Sequence, residues 1–343
     1  MSSLRRLSIL SVVVLSTPQC TTEEFVLRRL DAALPDAEAD SVVFCPDGDS
    51  PTVVVGSYEG DGASLRPVTG LPFSPVVVII KSEGTTQAVL RSATLIGDLS
   101  KPLQDHLAAI AGLIVSLDPG GFTVGSDPRV NGLGESFQWV AFRPSADLAL
   151  GSYDGTGVEQ TVGGLPFTPE YLVVFAQENP RAVQRFSFSS RRTFPFSPGS
   201  GSLMGVRSFE ESAFRVDTSA EVNELGNRYH YVAWRNASGS VRIGSYTGAV
   251  SGSTLDDDRE ITGLGFAPGY VLIKGDFDGE GVHRPSSLRG DFTLTFRGDP
   301  AFANRIQRFG LDGFQVGSHT SVNRPLSEFH FIAFSATPLS CLL

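Results

Sequence analysis

Five histidines, His106, His230, His283, His319 and His330, are the residues best suited to proton transfer or transition-metal binding. None stands in an H-E-x-x-H or comparable ligand spacing. His230 and His330 occupy matching places just before an apolar run, where Gln138 fills a third such place, and this reads as a surface or edge-strand role. A serine recurs in Gly56-Ser57-Tyr58, Gly151-Ser152-Tyr153 and Gly244-Ser245-Tyr246, each followed two residues later by Gly60, Gly155 or Gly248. The Gly-x-Ser-x-Gly order of a nucleophile elbow is missing, and recurrence points to a turn instead. Alternate carboxylates in Asp276-Phe277-Asp278-Gly279-Glu280 are of the kind that serves calcium beside a glycine turn. They have no counterpart elsewhere in the chain, so the segment reads as a solvated acidic loop, as does Asp256-Asp257-Asp258. Arg181, Arg185, Arg191 and Arg192 interleave with Phe186, Phe188 and Phe194 in the manner of a single-strand nucleic-acid platform. In an acidic chain the preferred reading is strands with arginines outward and phenylalanines inward. No catalytic, cofactor-binding or metal-binding set emerges, and the chain is expected not to be an enzyme.

Composition indicates which elements would carry these side chains. Of 343 residues 41% are hydrophobic and 19% charged, with 37 glycines and 21 prolines. Many turn formers among few charges predict short strands and frequent turns, an all-β profile. A formal charge of −10 opposes tracking of a phosphate backbone, which needs clustered Lys and Arg, so no nucleic-acid partner is expected. Cys20, Cys45 and Cys341 are too few for a disulfide framework. Cys45 and Cys341 each follow a closing strand of the repeat described below, and either a bridge between them or buried thiols fits. Arg5 and Arg6 before the run Leu7 to Leu15 read either as an export signal ending near Ser16 or as a buried strand of the mature protein. The run is too short to span a bilayer. Thr22, Glu23 and Glu24 ahead of Phe25, Leu27, Leu30 and Leu34 predict an amphipathic helix over residues 21 to 34.

Self-comparison decides the architecture. Three copies open on Val55-Gly56-Ser57-Tyr58, Leu150-Gly151-Ser152-Tyr153 and Ile243-Gly244-Ser245-Tyr246. A turn follows: Gly70-Leu71-Pro72-Phe73-Ser74-Pro75, Gly164-Leu165-Pro166-Phe167-Thr168-Pro169 and Gly263-Leu264-Gly265-Phe266-Ala267-Pro268. Proline fixes φ there and enters the apolar strands Val76 to Ile80, Tyr171 to Phe175 and Tyr270 to Ile273. Phe122, Phe214 and Phe314 each stand nine residues before Asn131, Asn223 and Asn323. Each Asn lies eleven residues before the aromatic closing Val140-Ala141-Phe142, Val232-Ala233-Trp234 or Ile332-Ala333-Phe334. Leu103, Leu107, Ile110 and Ile114, and Ala303 to Phe309, predict a short capping helix in the first and third copies. Ser41-Val42-Val43-Phe44-Cys45 reads as a fourth closing strand, which either completes the first copy or joins the third and closes a ring. The expected organisation is an N-terminal segment 1–40 and modules 41–144, 145–237 and 238–343.

In the third copy, the opening Gly-Ser-Tyr-Thr-Gly, the stretch Ile261 to Lys274, Asp312-Gly313-Phe314-Gln315-Val316-Gly317 and Val322-Asn323 resemble a module of bacteriophage tail-fibre and other virion proteins, and of some secreted bacterial proteins. The resemblance spans about residues 50 to 337 and rests on the order and spacing of short motifs. More loosely, the Phe-x-Pro entry and aromatic-Ala strands are similar to snail-agglutinin-type (H-type) lectin sandwiches. The implied fold is three tandem antiparallel β-sandwich, jelly-roll-like modules with a short N-terminal helix. The implied function is a non-enzymatic virion structural protein, a capsid decoration, tail or fibre component built as a pseudo-trimer. Its partners would be other virion or surface proteins, or further copies of itself. The alternative is a secreted or surface-attached bacterial carbohydrate-binding or adhesion module. Neither reading calls for a cofactor or a membrane span.

Overall fold

The computed structural model describes residues 51–104, 106–249 and 258–342. These are all-β: the helices are single turns at Pro128–Asn131, Ala220–Asn223 and Thr320–Asn323, and a 3-10 turn at Leu339–Cys341. No helix among them is long and apolar enough to cross a membrane. The expected strand at Leu7 to Leu15, the helix at 21 to 34, the closing strand at Val42 to Phe44 and both Cys20 and Cys45 lie outside the described residues.

Every copy forms a larger and a smaller sheet by the same pairings. In the larger sheet a closing strand lies between an opening strand and the apolar strand. The closing strands are Ser136–Phe142, Arg228–Trp234 and Glu328–Phe334; the opening strands are Val53–Glu59, Leu148–Asp154 and Val241–Thr247; the apolar strands are Val77–Ser82, Tyr171–Ala176 and Tyr270–Gly275. Beyond them lie Val89–Ser92 and Leu99–Pro102, Val183–Phe186 and Phe194–Pro195, and Val282–Pro285 and Leu294–Thr295. Each smaller sheet centres on the strand of the recurrent Phe: Gly121–Val124, Ala213–Val216 or Gly313–Val316.

The near-continuous apolar closing strands are explained by burial on both faces. Side chains alternate with period two. Trp139 and Ala141, Tyr231 and Ala233, and Phe331 and Ala333 pack with the smaller sheet of their own copy. Val140 and Phe142, Val232 and Trp234, and Ile332 and Phe334 enter one cluster shared by all three copies. At its centre the rings of Phe142, Trp234 and Phe334 form a closed edge-to-face triangle, with centroids 5.5, 5.1 and 5.8 Å apart.

The last described strand meets the first. Thr337–Pro338 pairs in parallel with the first opening strand, Thr337 opposite Val54 and Pro338 opposite Val55. The first opening strand is therefore covered on both edges, by Ser136–Phe142 and by Thr337–Pro338.

The capping helices do not form. Leu99–Pro102, Ile110–Ala111, Ile114–Asp118 and Ile306–Gly310 are strands. Short apolar runs fit helical and extended spacing equally well, and here the backbone decides. Gly112 at φ 77° and Asn304 at φ 62° turn the chain where a helix would have to continue.

Candidate functional site

The recurrent motifs are accounted for by packing. The first glycine of Gly-Ser-Tyr lies beneath an aromatic ring: a Cβ on Gly56, Gly151 or Gly244 would sit 2.4, 2.5 or 2.6 Å from Trp139, Tyr231 or Phe331. The tyrosine stacks on Phe137, Tyr229 or Phe329, and its hydroxyl donates to the carbonyl of Val130, Val222 or Val322. At Gly60, Gly155 and Gly248 a Cβ would stand 2.0 Å from a backbone oxygen of Gly132, Glu224 or Arg324. The serines between face the closing strand, Ser57 opposite Gln138, Ser152 opposite His230 and Ser245 opposite His330; Ser57 and Ser245 are exposed, and Ser152 accepts from Arg228. The spaced asparagines are buried clamps on the loop after the opening strand. Asn131 binds Asp61 and Ala63, Asn223 binds Thr156 and Val158, and Asn323 accepts from Ala249. The recurrent Phe122, Phe214 and Phe314 stand edge-on to Trp139, Tyr231 and Phe331.

Of the histidines, His106 and His319 are exposed, and His319 caps the turn Thr320–Asn323 through Nδ1. His230, His283 and His330 are buried, which corrects the surface reading. His230 and His330 lie on closing strands at the middle of their sheets, where both strand edges and one face are occupied. His283 stacks on Phe296 at 4.4 Å. Burial pushes His230 down to about 4, with Arg228 and Lys101 adding to it, and His283 to about 3, with Lys81 adding to it. These imidazoles are neutral at pH 7.

The acidic loop does not gather its carboxylates. Asp276 pairs with Arg192 at 3.2 Å and Glu280 with Arg305 at 2.9 Å, so two of the three acids answer separate arginines. The solvated reading is corrected with them, since both carboxylates are largely covered. In the Arg/Phe stretch, Phe186 and Phe194 are inside as expected, whereas Phe188 is exposed and Arg185 is buried. Arg185 has counterparts in Arg91 and Arg284, also buried, which donate to carbonyls across the turn beside them. Of Asp256-Asp257-Asp258 only Asp258 is described; it accepts from Gln307 at 3.0 Å.

The polar residues that sequence comparison missed lie at the junctions between copies. Lys81, Lys101 and Lys274 are fully buried, and their ammonium groups donate to backbone carbonyls of a neighbouring copy. Lys101 reaches Glu178 and Pro180 at 2.7 and 2.9 Å, Lys274 reaches Ser197 at 3.3 Å, and Lys81 reaches Asp299 at 3.0 Å. First copy therefore grips second, third grips second, and first grips third. Burial pushes Lys81 down to about 8 and the other two to about 7. Two sequence positions share this work. Lys81 and Lys274 stand next to last in apolar strands where the second copy has Phe175, while Lys101 stands where the other copies have Phe194 and Leu294.

The equivalent closing-strand positions Gln138, His230 and His330 repeat the cycle. Gln138 accepts from Ser287 of the third copy, His230 meets Thr94 of the first at 3.0 Å, and His330 stacks with Phe186 and Phe194 of the second. Backbone bonds reinforce each junction: Ala109 to Gln177, Gly281 to Phe196, and Ala88 to Phe296. Cys341 is disulfide-bonded. The arrangement gives the three buried lysines acceptors across the junctions and holds three copies around one apolar centre. No family model matches the sequence, and no curated protein is found to be similar to it.

Proposed function

We propose that the chain is a non-enzymatic structural protein of a virus particle, a capsid decoration, tail or fibre component. In it three β-sandwich modules, each a larger and a smaller sheet, act as a built-in pseudo-trimer. The observation that carries this reading is the triangle of Phe142, Trp234 and Phe334 inside a core shared by the three copies. Such a core is what a homotrimeric building block would have if its subunits were fused. A second feature supports an assembly role. In each copy the loop between the clamping Asn and the closing strand exposes one leucine: Leu133, Leu225 and Leu326 are 80, 75 and 78% exposed. Single exposed leucines are ordinary; three at corresponding loops of one ring offer a partner three like contacts.

The test is particle mass spectrometry and cryo-electron microscopy. The chain should be found on the particle with these leucine loops at its contact surface, and L133K/L225K/L326K should lose attachment without a change in Tm. Recovery only as a free secreted monomer would overturn the reading.

The disulfide at Cys341 favours a second reading, a secreted or surface-attached bacterial carbohydrate-binding or adhesion module, because disulfides persist in oxidising compartments. Mass spectrometry of the mature N-terminus separates the two: loss of residues 1 to 16 supports export, and an intact start supports the particle.

A further inference from the structure

One strand junction recurs in the three copies with three different side-chain sets. Just past the apolar strand, a residue donates its backbone N–H to the first residue of the closing strand: Glu83 to Ser136 at 2.8 Å, Gln177 to Arg228 at 2.9 Å, Asp276 to Glu328 at 2.8 Å. Two residues along the closing strand, on the same face, stand Gln138, His230 and His330. The first copy satisfies itself, since Gln138 donates to Glu83 at 2.8 Å and accepts from Ser287. In the second, Arg228 turns to Asp154 and Ser152, and His230 meets Thr94.

The third copy places two carboxylates and an imidazole there and leaves the imidazole and one carboxylate oxygen without partners. His330 is fully buried, yet neither ring nitrogen has a hydrogen-bond partner, and Asp276 Oδ1 is buried without one. One donor atom from each of Asp276, Glu328 and His330 lies within 4.8 Å of the others. Unpaired buried polar atoms are rare in folded proteins and ask for a missing partner.

We propose that Asp276, Glu328 and His330 bind a divalent transition-metal cation of the zinc type, with a remaining position open to water. One imidazole nitrogen and two carboxylate oxygens suit zinc, whereas calcium takes six or more oxygens. Arg192 Nε holds Asp276 at 3.2 Å through Oδ2, which fixes the carboxylate and leaves Oδ1 for the metal. Lys274, opposite His330 in register, donates its ammonium to the carbonyls of Ser197 and Gly279. The half-buried Glu328 and Asp276 give the ion a way in. Arg192, Phe186 and Phe194 belong to the second copy, so the metal would staple the junction between second and third.

Zinc titrated calorimetrically into the chelator-stripped full chain should show one saturable site and raise Tm. H330Q, which installs the first copy's side chain, and E328R, which installs the second copy's, should each weaken binding at least about tenfold. H230Q should bind as the unaltered chain does. Absence of saturable binding, or full affinity in both H330Q and E328R, would overturn the site. Should H330Q fail to fold, E328R decides, because Glu328 stands half-buried at the strand's start.

Discussion

A buried lysine or histidine is tolerated when the protein supplies acceptors or removes the charge, and the junctions use both routes. Lys101 donates to Leu107, Glu178 and Pro180. In Lys101→Met the stem still packs while three carbonyls lose their donor, so urea denaturation should show a loss of about 1–3 kcal/mol. An unchanged midpoint would mean that the ammonium is dispensable. His230 and His283 take the second route. Their folded values, about 4 and about 3, lie below the ordinary 6.5. Between those values the unfolded chain binds more protons, so their contribution is fully present above pH 6.5 and is lost as pH falls towards 4. The urea midpoint should drop between pH 7 and pH 4.5, and the drop should shrink in H230Q. A profile flat in that window, or unchanged in the variant, would contradict neutral burial.

At the scale of elements, the turn after the opening strand and the closing of the first sheet are the tightest points. Gly155→Ala would push a Cβ to 2.0 Å from the Glu224 carbonyl, a backbone atom that cannot rotate away. The cost expected from overpacking is about 1–3 kcal/mol, read as a lowered Tm. Thr337–Pro338 covers the outer edge of Val53–Glu59. Truncation after Ala336 uncovers that edge, and an open edge strand templates pairing with other chains. The truncated chain should self-associate in size-exclusion chromatography in proportion to concentration. Full-length protein with the Cys341 disulfide reduced should stay at the size of the oxidised form; if it associates equally, the disulfide and not the strand is responsible.

For the molecule as a whole, the shared cluster should make the three copies unfold as one cooperative unit. Trp234 contacts both Phe142 and Phe334 at the centre, so its loss removes contacts from all three copies. Trp234→Ala should cost about 3–5 kcal/mol, as large-to-small core changes do. Hydrogen exchange should show the three apolar strands losing protection together. Stepwise loss, with the second copy opening alone, would show instead that each sheet pair is self-sufficient.

Much of the fold was legible in the sequence because its determinants are local or nearly so. Period-two apolar strands, a glycine beneath an aromatic, and an Asn at fixed distance from the strand it clamps leave their spacing in the chain three times over. The helices expected at Leu103 to Ile114 and at Ala303 to Phe309 failed because short apolar runs carry no unambiguous period. What only tertiary structure decided was which surface covers the second face of each closing strand, and which polar residues go inside with it. Phe142, Trp234 and Phe334 look in sequence like any strand-end aromatics, and Lys81, Lys101, Lys274, His230 and His330 look like surface residues. Their burial depends on partners contributed by another copy, such as the Asp299 carbonyl that Lys81 meets across 218 positions of chain. No local pattern records such a partner, so the sequence by itself determined the strands and their turns, and the packing of copy against copy determined the centre.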